Sequence, residues 1–207
     1  MDAGLRAGIA LYNTGRYRVA SDVLDVTRTE ASERDSQRAV FKSLDLFSKA
    51  IRHARTGKTA NARESAGEAL TLLAEEGKQF AGVDLEAVRA FLTAVQTDPT
   101  CVDRREPPTI THHGEALGVD DLNLDETAIV AGAIADREDE ARLLEKTIEY
   151  ARTDLEDDQA TSPFVAFLFD YVREPQARGI VRQRLREHVQ RRQSRAADVE
   201  GLFDANE

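Results

Sequence analysis

At 207 residues the chain can bury a core of its own, and 41% hydrophobic content with 6% aromatics and no Trp excludes global disorder. A net charge of −10, from 38 acidic against 28 basic side chains, repels nucleic acid and anionic membrane, so such a contact requires a local basic patch. The single cysteine, Cys101, excludes an internal disulfide framework and leaves no partner thiol for a thiolate metal cluster.

No apolar run approaches the roughly 18 residues that span a bilayer. The start, MDAGLRAGIALYN, lacks a long apolar signal core followed by a small-residue cleavage site. The expectation is a cytoplasmic protein with no membrane partner. Acidic excess, Arg in place of Lys and near absence of Cys and Met resemble proteins of salt-loving archaea, whose dense carboxylates keep the chain hydrated.

Helical periodicity dominates the chain. Leu5, Ile9 and Tyr12 share one face of a first helix, broken by Asn13, Thr14 and Gly15. Tyr17, Ala20, Leu24 and Thr27 mark a second. A third is expected from about Glu33 to Arg55, with Val40, Phe41, Leu44, Phe47, Ile51 and Ala54 in a stripe widened by Ala39, Leu46 and Ala50. Such width predicts a central helix packed on more than one side. Gly57 ends it. Ala62, Ala66, Ala69, Leu70 and Leu73 carry a fourth helix. A fifth begins at an Asp84 N-cap and runs through Leu85, Val88, Phe91, Leu92 and Val95 until Asp98 and Pro99 stop it.

Residues 98–123 then lose helical period, with three prolines and two glycines. Within them TITHHGEAL predicts a short β-hairpin near 108–118, turning at His113 and Gly114. Helices resume over 124–135, 138–155, 162–173 and 175–195. Ser162 as N-cap and Pro163 at the first helical position start the most apolar of them, a buried core helix. Val199, Leu202 and Phe203 in the tail are expected to dock back on the body. The resulting expectation is an all-α bundle of antiparallel helix hairpins. Residues 1–97 form a hairpin domain, 98–123 an irregular connector, and 124–207 a C-terminal helical region packed on the first.

Gly15 and Gly57 lie 42 positions apart and lead matching segments: Tyr17 and Ala20 follow the first, Thr59 and Ala62 the second. Glycine permits the left-handed backbone that closes one helix, and the small Ala five positions later lets the next approach it. The spacing is similar to that of tetratricopeptide repeats, although the offset exceeds their period of about 34 residues. Residues 5 to 75 further resemble the uncharacterised family catalogued as domain of unknown function 309, in a haloarchaeal form. Asn13, Gly15, Tyr17, Ala20 and Leu24 fit its Asn-x-Gly-x-Tyr turn and following helix, and His53 and Gly57 fit a later helix end. The family's His-Glu pair is Ser21 and Asp22 here, its second Glu is Asp25, and its Trp is Arg28. The resemblance implies an all-helical fold with no established activity, and a His/carboxylate centre lost or altered in this chain.

Candidate chemistry is sparse. Asp22 and Asp25 share a helix face and, with His53, form the weak candidate for a metal site. His112 and His113 in a loop make a poor metal pair, and Cys101 lacks the Gly-rich turn of a nucleophile. TGKT at 56–59 echoes a phosphate loop, but Arg52 stands where its first Gly belongs and a helix precedes it.

The strongest charge signal is RGIVRQRLREHVQRRQSR at 178–195. Val181, Leu185 and Val189 form its apolar stripe, with Arg178, Arg182 and Arg186 along one edge and Arg184, Arg191 and Arg195 along the other; Arg192 is the seventh. Guanidinium groups flanking a packed stripe suit long stems over apolar surface with heads reaching acids on neighbouring helices, for which Asp136, Glu138, Asp139, Glu140, Asp154, Glu156 and Asp157 are available. Three functions follow as expectations. The first is a non-catalytic interaction or scaffold protein with a groove around Tyr12, Asn13, Tyr17, Arg28, Lys49 and His53. The second is a nucleic-acid-associated or regulatory factor using the Arg-rich helix, whose seven arginines also suit an acidic protein partner, and the third a degenerate metal-dependent enzyme. No cofactor is expected; the partner is a protein, a nucleic acid or a second copy of the chain.

Overall fold

The computed structural model describes residues 2–30, 35–159 and 161–204. It is an all-α bundle with one very small antiparallel sheet. The chain divides into two compact units, Met1–Val130 and Ala131–Glu207. The irregular 98–123 segment therefore belongs to the first unit.

In the first unit, α1 (Asp2–Asn13) and α2 (Tyr17–Glu30) make one hairpin, and α3 (Asp35–Arg55) and α4 (Thr59–Leu73) a second. The two turns are built alike. Gly15 (φ +74°) and Gly57 (φ +72°) take the left-handed conformation. The Gly15 N–H donates to Tyr12 O and Arg16 N–H to Leu11 O; Gly57 donates to Ala54 and Lys58 to His53. This is the Schellman closure, which satisfies carbonyls that a helix end leaves unpaired. Ala20 and Ala62 are fully buried, as close approach requires. A second device was not singled out from the sequence: Gly4 and Gly8 on α1. A Cβ at Gly8 would stand 2.6 Å from Leu24 Cδ2, and one at Gly4 2.2 Å from Thr27 Oγ1, so α2 lies against bare backbone.

The third helix is central as its stripe predicts. Val40, Phe41, Leu44, Phe47, Ala50 and Ile51 are buried, and so are the polar Ser43, Asp45 and Ser48. The predicted start at Glu33 lies outside the described residues. Phe47 stacks on Tyr12 (5.1 Å between ring centroids) and meets Phe91 edge-on at 6.1 Å. That aromatic run ties α1 and α3 to α5 (Glu86–Thr97).

The sheet comprises β1 (Gln79–Phe80), β2 (Val83–Asp84), β3 (Thr111–His112) and β4 (Glu115–Ala116), in chain order and antiparallel throughout. The hairpin predicted at His113-Gly114 is β3–β4. A first hairpin, turning at Ala81-Gly82, has no counterpart in the sequence reading. In both turns both central residues have positive φ: Ala81 +47° and Gly82 +83°, His113 +52° and Gly114 +85°. This is the type I′ pattern, whose twist matches the flanking strands. Asp84 is not the N-cap: it ends β2, the cap position is Leu85, which makes no side-chain cap, and Asp84 Oδ1 accepts from Glu86 N–H one position ahead of the cap. Between the hairpins Pro99–Asp103 forms a 3₁₀ turn, with Asp98 accepting from Thr100 N–H. Asn123 and Glu126 then cap each other's backbone N–H to open α6 (Leu124–Arg137).

The second unit begins within α6 and contains α7 (Ala141–Glu156), α8 (Pro163–Arg173) and α9 (Arg178–Asp204). Asp139 (φ +57°) and Asp158 (φ +51°) close α6 and α7 with the wider bond of the glycine turns, Glu140 N–H to Ala135 O and Gln159 N–H to Asp154 O; Asp158 N–H also bonds Leu155 O, completing the pair at α7. Asp139 is why α7 starts three residues after the predicted Glu138. Ser162 Oγ caps α8 through Val165 N–H, as its sequence predicts. The side chains of the tail residues Val199, Leu202 and Phe203 lie outside the described residues.

Candidate functional site

The polar side chains expected to form an N-terminal groove are used by the fold itself. Asn13 Nδ2 donates to Ile110 O and Leu117 O, both at 2.9 Å, while its Oδ1 accepts from Ile110 N–H. It thereby closes the neck of the β3–β4 hairpin. Tyr12 donates to Pro108 O and is 3% exposed; burial drives its phenol pKa far above the ordinary value. Tyr17 touches Tyr12 edge-on and carries Arg55 over its ring at 5.1 Å. Lys49 and Lys42 hold Asp45, fully buried, which also accepts a hydrogen bond from Ser21 Oγ. Asp45 escaped the sequence reading, although an acid between Leu44 and Leu46, with Lys three before and four after, was a visible signal.

Asp22, Asp25 and His53 do not converge. Among the described residues no group of three or more His, Cys, Asp or Glu is placed to hold a metal ion. Asp25 pairs with Arg28 instead. Burial raises the Asp25 pKa, but Arg28, helped by Lys42 and Lys49, more than reverses this and holds it below the usual range. Burial, with Arg52, Lys58 and Lys49, lowers that of His53. Cys101 lies buried in the 3₁₀ turn, not in an open loop, and burial pushes its thiol pKa up, away from a reactive thiolate. His113 packs its ring over Gly82, where a Cβ would meet it at 2.7 Å.

The Arg-rich segment is α9, and its stripe is buried at Val181, Leu185 and Val189. Arg178 bonds Glu138 and Tyr171 O, Arg182 reaches Glu140 at 3.3 Å, and Arg186 donates to Glu140 at 2.6 Å. Those three arginines thus grip the α6–α7 link. Arg192 binds Asp154, which is 2% exposed and also accepts from Ser162 Oγ. The Arg192 guanidinium lies 4.4 Å from the Tyr150 ring centre and 5.5 Å from that of Phe164. Asp154 therefore joins α7, α8 and α9.

The remaining arginines face outward. Arg184, Arg191 and Arg195 are exposed. A cleft of about 480 Å³ is lined by Asp154, Phe164, His188, Arg191, Arg192 and Arg195, together with Gln159 and Pro163. It lies wholly within the second unit. His188 packs against Phe164 and Phe167. Electrostatically the cleft is cationic, with Phe164 in its lining, the reverse of the chain's overall charge. No protein-family model matches this chain, and no curated protein matches it. No helix among the described residues is long and apolar enough to cross a membrane.

Proposed function

We propose that the protein is a non-catalytic helical interaction protein that engages an acidic partner protein at the cleft on α9. The observation that carries this reading is the convergence of Arg191, Arg192 and Arg195 on one cleft in a chain of net charge −10. Long-range repulsion of acidic partners makes a local cationic concavity the place where one is accepted. The kinship of residues 5–75 to the uncharacterised family 309, a haloarchaeal source and a cytoplasmic location belong to the same proposal. The kinship rests on the sequence pattern of Asn13, Gly15, Tyr17, Ala20 and Leu24 alone.

The test is titration of the full chain with a glutamate-rich peptide. Saturable binding lost in the double variant Arg191→Gln/Arg195→Gln, with melting unchanged, supports the reading; no binding to the wild type ends it. A nucleic-acid reading has one observation in its favour, the exposed row Arg184, Arg191 and Arg195. It predicts that a short single-stranded DNA binds instead, with the logarithm of its affinity falling linearly in log salt.

A further inference from the structure

The lining of the α9 cleft carries three guanidinium groups against one carboxylate, an excess of two positive charges before His188 is counted. The carboxylate, Asp154, is already committed to Arg192 and Ser162. Arg192 is thereby fixed at the back of the cleft, its plane held against Tyr150. Arg191 and Arg195 stand one helical turn apart on the exposed edge, so both heads reach the same volume. Glu187 meets Arg191 at 3.4 Å, in an exposed pair of the kind that contributes little. The start of α8 borders the cleft at Pro163, adding the positive end of a helix dipole.

A single carboxylate would match half of that charge. A phosphoryl monoester carries close to two negative charges and three acceptor oxygens, and guanidinium groups meet such oxygens in bidentate fashion. We propose that this cleft is a phosphoryl-binding site, with Arg191 and Arg195 gripping the oxygens in front of the fixed Arg192. The inference rests on the reading of the cleft as the acidic-partner site, and names the acidic group that partner carries. The phosphoryl group is borne either by a phosphorylated peptide or by free phosphate.

Calorimetric titration of the full chain with four probes tests it: a phosphoserine peptide, the same peptide with Ser, the same with Glu, and inorganic phosphate. Expected is at least tenfold tighter binding of the phosphoserine peptide than of the Glu peptide, and none of the Ser peptide. Arg191→Gln/Arg195→Gln abolishes it, while Glu187→Gln tightens it several-fold by removing the competing acid. Inorganic phosphate binding as tightly as the phosphopeptide also supports the site, with phosphate itself as the ligand. Equal affinity for the Glu and phosphoserine peptides overturns the inference and leaves the acidic-partner reading standing. Binding of neither peptide ends that reading, and if inorganic phosphate is not bound either, the inference ends with it.

Discussion

Asn13 shows how one side chain can hold a loop. Its amide satisfies one N–H and two carbonyls at the neck of the β3–β4 hairpin. Asn13→Asp keeps the acceptor but turns a donor into a second oxygen facing two carbonyls. A loss of about 2 kcal/mol is expected in chemical denaturation, since buried carbonyls are left without partners. His53 sets a pH dependence. Its Nδ1 is buried with no hydrogen-bond partner among the described residues, and burial with Arg52, Lys58 and Lys49 depresses its proton affinity. The folded state thus binds this proton less readily than the unfolded chain. The contribution is complete above the unfolded pKa of about 6.5 and is lost as pH falls through it. His53→Gln should flatten the wild-type decline in melting temperature between roughly pH 7 and 5; an unchanged slope contradicts this. Of these residues only the Asn13 turn was legible in sequence. Asn13, Gly15 and Tyr17 form a local pattern, whereas Ile110 and Leu117 lie about a hundred positions away, where no short-range signal reaches.

Helix ends and helix contacts divide the glycines into those the fold requires and those it does not. Gly57→Ala meets no neighbour, so its cost is the left-handed backbone alone, about 1 kcal/mol. Asp158 pays that conformational cost in the wild type, and Asp158→Gly should stabilise by a similar amount. The sequence reading missed the two Asp closures because composition flags glycine there, and aspartate only when the structure shows its φ. Within helices the sign reverses. Gly8→Ala would gain about 1 kcal/mol of helix propensity, but its Cβ would strike the buried Leu24 and the net effect is expected to be destabilising. Gly132→Ala and Gly179→Ala, with open space around them, should raise the melting temperature. The GLRAG spacing of α1 was in plain view; only the placement of Leu24 and Thr27 against it gives it meaning.

Across the whole molecule, charge works at two distances. The arginines of α9 are mostly internal to the second unit, so Arg182→Gln/Arg186→Gln is expected to lower stability by about 1 kcal/mol, as partly exposed pairs do. Arg192→Gln strands a buried Asp154 and should cost about 3 kcal/mol. Beyond these contacts an excess of ten negative charges repels itself throughout the chain. Raising potassium chloride from low concentration toward about 1 M, where the screening length falls to about 3 Å, should therefore raise the melting temperature. A melting temperature that falls with salt would show that specific ion pairs outweigh the general repulsion.

Periodicity and glycine placement in the sequence alone determined the helical class, the two N-terminal hairpins, the central third helix and the β-turn at His113-Gly114. These features follow from forces acting within a few residues: backbone sterics, caps and the spacing of apolar side chains. The tertiary structure alone decided which polar groups the fold consumes and which it leaves for a ligand. Arg186 and Arg192 look alike in sequence, as do Arg192 and Arg195. Whether a guanidinium meets Glu140, the buried Asp154 or an open cleft depends on contacts between helices, which helical spacing does not encode.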